Sequence, residues 1–326
     1  MQKFFLVLFL GFSSQLLAQT DSSNKCSKTL MAFASDTQAP MWVETIVLKA
    51  NNNRAATKRL FHDIAEKKPA SLFILGDVVN LGYSNRQWKP MDGYLKKLRG
   101  EGIEVHAALG NHEVMGRSKA GQRKFQERFP NHVKTGFVEV VDSVAVVLLN
   151  SNFKKLSGAE DLQQVEWYSK TLRQLDEDSS IVFIISACHH SPYTNSKIVG
   201  ASKDVQQRFI KPFMESPKSK LFLSGHCHGF EHYNFKGKDF MVIGGGGGLH
   251  QPLKTDGDFD DLAVEYKPMF HYLTVERKGN RLELLSYKLD NDFKTFEKGL
   301  AYNINLETAV GNDVASKQAE TNNTGN

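Results

Sequence analysis

The sequence predicts an α/β (α+β) fold in which mixed sheets are flanked by helices. Two observations carry this. Several short apolar runs end abruptly in Gly, Asp, Asn or His, and the first half alternates such runs with helical patterns, whereas the second half is mostly β. The strand-like runs are Met31–Ala34, Ser71–Leu75, Val105–Leu109, Ile181–Cys188 and Leu221–Ser224. Between them, Asn53 to Lys68 carries Ala56, Leu60, Phe61 and Ile64 at three-to-four spacing before Pro69 stops it. Arg86 to Arg99, Lys119 to Phe129 and Asp161 to Leu175 repeat the helical theme. Phe137 to Asn150 reads as a hairpin broken at Asp142-Ser143. After His228 the strands are Asp239–Ile243, Tyr272–Arg277 and Arg281–Leu289, the last two joined by a turn at 278–280.

What closes each run matters more than the run itself. The runs end in Ser35-Asp36-Thr37-Gln38, Gly76-Asp77, Gly110-Asn111-His112-Glu113, His189-His190-Ser191-Pro192 and Gly225-His226-Cys227-His228. Residues i and i+2 of an extended segment point to one side, so His226 and His228 can share a centre while Cys227 faces away. Open α/β sheets place their sites at the carboxyl ends of strands, which predicts that these groups converge.

In this order, the motifs D-x-Q, G-D, G-N-H-E, H-x-P and G-H-x-H resemble those of the calcineurin-like metallophosphoesterase superfamily, over about residues 29 to 290. The resemblance implies a four-layer α/β/β/α sandwich of two mixed sheets. It also implies a pair of divalent metal ions that hydrolyse phosphate esters by in-line attack of a metal-bound hydroxide. Two ions about 3.5–4 Å apart neutralise phosphoryl charge and supply a nucleophile at neutral pH. By resemblance Asp77 bridges the two. Asp36, Gln38 and His228 complete one shell, and Asn111, His190 and His226 the other. His112 sits over the phosphate as general acid or charge stabiliser, a role suited to an imidazole with an ordinary pKa near 6.5. His190 is preferred over His189 because the family's ligand stands two residues before a proline; His189 is then expected to face the other side of the strand end.

Departures from the pattern sharpen the reading. Gln38 replaces the commoner His, and a neutral amide oxygen tilts that shell toward manganese or magnesium rather than zinc or iron; manganese-dependent nucleotide pyrophosphatases also carry Gln there. Asn80 stands where purple acid phosphatases place the tyrosine that colours their iron. Gly76-Asp77-Val78-Val79-Asn80-Leu81-Gly82 lacks the arginine of the Ser/Thr protein phosphatases. Phosphomonoesters, phosphodiesters and nucleotides stay open as substrates. The alternative reading is a metal-dependent phosphate- or nucleotide-binding module with little turnover.

The remaining chain bounds location and partners. Lys3, the apolar stretch Phe4 to Phe12 and the small-residue exit Ser13 to Ala18 predict a signal peptide over 1–18, a linker over 19–28 and a secreted or periplasmic protein. The domain is expected over 29–307, followed by a disordered polar tail over 308–326. No later stretch is apolar and long enough to span a bilayer. The formal charge of +5 is spread without a Lys/Arg block, which reads first as an ordinary solvated surface; it also suits an anionic substrate but is no nucleic-acid footprint. Three cysteines, Cys26, Cys188 and Cys227, define no disulfide framework; Cys188 and Cys227 are either bridged or small buried hydrophobes. Gly244 to Gly248 reads as a flexible turn shaped around the site, with His250 and Asp256 to Asp261 at its rim.

Overall fold

A computed structural model describes residues 28–306. The leader, all but the last residue of the linker, and the polar tail lie outside the described residues.

The elements run in the expected alternation. They are β1 (Leu30–Ala34), α1 (Asn53–Lys67), β2 (Ser71–Ile74), α2 (Asn85–Gly100), β3 (Glu104–Ala107), α3 (Asn111–Val114) and α4 (Ser118–Arg128). The hairpin β4 (Phe137–Val141) and β5 (Val144–Leu148) turns at Asp142, in left-handed backbone. Next come α5 (Gly158–Glu177), β6 (Phe183–Cys188), a short helical passage from α6 (Lys203–Val205) through a π turn to α7 (Lys211–Glu215), and β7 (Ser219–Ser224). The chain ends in β8 (Phe230–Phe235), β9 (Lys238–Ile243), β10 (His271–Lys278), β11 (Arg281–Leu289) and β12 (Phe296–Asn305).

Two six-stranded mixed sheets result, ordered β12-β11-β10-β1-β2-β3 and β4-β5-β6-β7-β9-β8. β1, β2 and β3 run parallel, as do β5, β6, β7 and β9; β10, β11 and β12 join the first sheet, and β4 and β8 the second, through antiparallel pairs. Alternation along each strand sorts the core into three layers. Met31, Phe33 and Phe73 meet Val146, Ile185 and Leu223 between the sheets, while Ala32, Ala34, Leu72 and Ile74 turn outward onto Leu60, Ile64 and Trp88 of α1 and α2. On the far side, Val147, Ile184 and Phe222 pack on Tyr168, Leu172 and Phe213. The order is therefore helices, sheet, sheet, helices. A period of two within buried strands is what lets both faces be apolar at once.

The sequence missed two strands for physical reasons. β8 interrupts its apolar pattern with Glu231 and His232, both buried, because Glu231 accepts hydrogen bonds from Thr194 Oγ1 (2.6 Å) and the Asn195 N–H (2.7 Å). β12 is a sheet edge where only Phe296 and Ile304 are buried and half of the residues are exposed, so its core-facing alternation of Leu300, Tyr302 and Ile304 is too short and too partly buried to stand out. Cys188 and Cys227 are free and buried, packed as hydrophobes rather than bridged.

Two buried histidines make the fold acid-sensitive. Burial holds His132, packed edge-to-face on Phe125, down at about 4, and His271 down at about 3. The unfolded chain takes protons near pH 6.5 whereas the native state stays neutral to about pH 4, so stability falls as pH drops through that window. Each such group adds a slope of up to about 1.4 kcal/mol per pH unit. Urea unfolding at several pH values between 6.5 and 4.5 should show this, and His132→Leu should flatten the slope. An unaltered slope in the variant would remove His132 from the account.

Candidate metal centre

All the sequence-predicted ligands come together at the carboxyl ends of β1, β2, β3, β6 and β7. Three of them, Asp36 (φ 57°), Asp77 (φ 49°) and His226 (φ 67°), lie in left-handed backbone that non-glycine residues avoid. The turns that impose it are drawn tight. A Cβ at Gly110 would fall 2.1 Å from the Asp77 nitrogen, and one at Gly225 1.9 Å from Ser35 Oγ, so only glycine lets these strand ends approach one another. Asp36 in turn accepts the His226 N–H at 2.9 Å, tying β1 to β7.

The side chains form two knots of hydrogen-bond acceptors. In the first, His228 donates Nδ1–H to the Leu249 carbonyl (2.7 Å), which leaves Nε2 bare and 3.3 Å from Asp36 Oδ1. The Gln38 amide is best oriented with its nitrogen donating to the carbonyls of Asp77 (2.9 Å) and Asp36 (3.0 Å). Its oxygen then faces His228 Nε2 at 3.4 Å.

In the second knot, His189 donates Nδ1–H to the Leu75 carbonyl (3.0 Å) and presents Nε2 to Asn111 Oδ1 (3.0 Å) and Asp77 Oδ2 (3.2 Å). Lone pairs facing lone pairs at such distances need a positive charge between them, a proton or a cation. Asp36, Asp77 and His189 each offer a ligand atom within 4.8 Å of the others, and so do His189, His190 and His226. Carboxylate, amide and imidazole donors in this number suit a pair of divalent cations, and the fixed His tautomers are those metal ligation requires.

Titration directions follow from the same geometry. Burial pushes the Asp77 carboxyl up, but the surrounding histidines, His189 first, overcome it and hold it well below the usual range. Burial alone would lower His189; the Asp77 carboxylate raises it to about 9. Burial and the charge on His189 lower His190 to about 3 and hold His226 well below its ordinary value. Without a cation, a proton on His189 takes its place.

One expectation is corrected here. His189 does not turn away from the strand end; it is fully buried at the middle of the cluster, and His190 lies beside it, 2.8 Å from Ser151 Oγ through Nδ1. Two adjacent residues reach one site because the strand ends at Cys188 and alternation ends with it.

His112 stands apart from both knots. Its Nδ1–H donates to the Asn80 carbonyl (3.0 Å), Nε2 lies 3.7 Å from Asp77 Oδ2, and its own backbone N–H donates to Asp77 Oδ1 (2.8 Å). Sequence reasoning missed what holds this arrangement. The buried Glu113 carboxylate accepts the N–H groups of Asp77 (3.0 Å), Val79 (3.0 Å) and Gly110 (2.9 Å). Its place in G-N-H-E was the available signal.

The glycine stretch is not a flexible turn. It is buried and laced down: the Gly246 and Gly248 N–H groups donate to the Ser35 and Asp36 carbonyls, both at 2.9 Å, and Asn53 Nδ2 donates to the Gly247 and Gly248 carbonyls (2.9 and 3.0 Å). Of the expected rim, Asp258 pairs with Lys254 and Asp261 with Lys267, so these acids are engaged with lysines of their own loop.

Strand-end acids, amides and imidazoles arranged in this way, in a four-layer sandwich, define a metallophosphoesterase-type centre. A sequence profile described as Calcineurin-like phosphoesterase matches residues 30–230, more than half of the 326-residue sequence, and the chain belongs to that family. The family binds two divalent metals, and the clusters above are candidate residues for them. No curated protein sequence matches.

Solved structures share the fold at low identity. Purple acid phosphatase PPD1 from yellow lupin (Lupinus luteus) seeds is 14% identical with a TM-score of 0.64, over 86% of this chain and 54% of that one. GAP50, described as the anchor in the inner membrane complex of Plasmodium, is 14% identical with a TM-score of 0.63, over 86% and 89%. A dimetal phosphatase from Danio rerio is 13% identical with a TM-score of 0.53, over 86% and 99%. This chain spans about half the length of the lupin protein.

Proposed function

We propose that this protein is an exported two-metal hydrolase of phosphate esters, acting on phosphomonoester, phosphodiester or nucleotide substrates. The observation that carries the reading is the pair of knots, Asp36/Gln38/His228 and Asp77/Asn111/His189, in which side-chain lone pairs face one another and which meet where Asp36, Asp77 and His189 bring their ligand atoms within 4.8 Å.

Asp36, Gln38, Asp77 and His228 would hold one cation; Asp77, Asn111, His190 and His226 would hold the other, with His189 against Asp77. When bound, the two cations supply charge neutralisation for the phosphoryl group and a nucleophile at neutral pH. Gln38 and the two carboxylates favour manganese for the first position, with magnesium, zinc or iron as competitors. His112 then has one task. Because Nδ1–H is committed to Asn80, Nε2 is the atom that holds the proton delivered to the leaving oxygen. The leader pattern supports export, and no helix among the described residues is long and apolar enough to cross a membrane.

Chelation and reloading tests this. The protein produced with its leader should be recovered beginning at Gln19, lose turnover of an aryl phosphomonoester or diester on chelation, and regain it best with manganese. Two ions bound without turnover on any ester would favour a binding module, and failure to bind metal would sink the site assignment. A retained Met1 would remove export.

A further inference from the structure

Two cavities open from the metal centre, and they differ in chemistry. One, of about 330 Å³, has Asn111, His190, Ser151, Lys154, Lys155 and Asp204 as its polar and charged lining, beside Val114, Met115 and Phe153. The other, of about 430 Å³, has Asp77, Asn111, His112, His226 and His228 on its floor. Its walls are mostly apolar, formed by Met41, Val43, Val47, Leu48 and Ile198, with Glu44 and Gln251 as the polar members. Among the described residues no lysine or arginine lines it.

These walls are built rather than loose. The Met41 N–H donates to the Glu44 carboxylate (2.6 Å), and the N–H groups of Val47 (3.1 Å) and Leu48 (2.9 Å) donate to the Glu44 carbonyl, which winds the first wall into a 3₁₀ turn. The wall that carries Ile198 is pinned by Glu231 through Thr194 and Asn195, and by Ser196 Oγ donating to Gln251 Oε1 (2.9 Å). Both are held with apolar side chains facing water: Val43 is 48%, Val47 76% and Ile198 46% exposed. An apolar patch kept open to solvent beside a polar centre marks a binding surface.

The position of His112 decides which part of a substrate enters. It lines the apolar cavity and not the lysine-lined one. A general acid must reach the oxygen that departs, so the departing alcohol lies on its side of the phosphorus. Resting on the phosphoesterase reading above, we propose that the leaving group is an apolar alcohol, alkyl or aryl, seated between the Val43/Val47 wall and Ile198. Nucleotide leaving groups are disfavoured, since no cation there would meet a second phosphate.

Binding of non-hydrolysable alkylphosphonates to the manganese-loaded protein, measured by calorimetry, tests this apart from turnover. Full burial is worth roughly fourfold per methylene, and half-open walls roughly twofold, so hexylphosphonate should bind at least about tenfold tighter than ethylphosphonate. Val47→Asn with Ile198→Asn, both at exposed positions, should reduce that ratio to below about threefold while inorganic phosphate binds as before. A flat series in the unaltered protein with phosphate still bound would overturn the inference and leave the phosphoesterase reading standing; so would a gradient that survives the double variant. Binding of neither phosphate nor phosphonate would overturn both.

Discussion

Replacing His112 by alanine should leave two divalent cations bound per chain and lower phosphoester turnover by about 10²–10⁴-fold. The expected retention of metal follows from what the substitution spares. Asp77 is oriented by the backbone N–H of residue 112 and by the Glu113 carboxylate, which accepts the Asp77 N–H, and neither contact depends on the imidazole. What is lost is a buried imidazole whose Nδ1 is tied to the Asn80 carbonyl and whose Nε2 lies 3.7 Å from Asp77 Oδ2. A proton donor is needed most when the departing alkoxide is basic. The loss should therefore be larger for alkyl phosphates than for an activated aryl phosphate, whereas a mere packing defect would slow both alike. Equal metal content with an unchanged rate would remove His112 from the chemistry.

The contrast between His112 and its neighbours shows which parts of the site sequence could disclose. Asp36, Asp77, Asn111, His226 and His228 were legible because each closes an apolar run, and a buried parallel strand delivers its carboxyl end to a shared edge. Gln38 was placed at the candidate site by the resemblance of D-x-Q to the family's first motif, but not the orientation of its amide, which depends on carbonyls at residues 36 and 77. His189 was misread because alternation was extended past the last paired residue of β6. The same limit hid the role of Gly244 to Gly248. Five glycines look alike in a flexible turn and in a segment where neighbouring backbone comes into contact, and only the three-dimensional partners, Ser35, Asp36 and Asn53, separate the two. In the fold, helices and buried strands were found by period, whereas β8 was concealed by a buried carboxylate and β12 by its exposure at an edge.

The left-handed residues explain why so much of the chain is spent on holding a few side chains. Asp36, Asp77 and His226 occupy backbone that costs of order 1–3 kcal/mol each relative to ordinary conformations. Such strain persists only where surrounding bonds over-determine it. Glu113 is the group that does this for Asp77.

Glu113→Ala should therefore be among the most damaging single changes outside the ligands themselves. It would strand three N–H donors, those of Asp77, Val79 and Gly110, in a region closed to water. At about 1–3 kcal/mol for each unsatisfied buried group, the loss is about 3 kcal/mol or more. Glu113→Gln is the sharper probe because it keeps the shape. Glu113 Oε2 accepts two N–H groups and Oε1 the third, so an amide nitrogen in either place faces at least one donor. Burial first, and the Asp77 charge second, push the Glu113 carboxyl up to about 7. Cations at Asp77 would cancel the second effect and favour the ionised, fully accepting form. Metal should thus stabilise the unaltered protein against urea more than it stabilises Glu113→Gln, and the variant should bind fewer than two ions at manganese levels that saturate the original. If Glu113→Gln matched the original in both urea midpoint and metal stoichiometry, Glu113 would not be what holds Asp77 in its strained backbone.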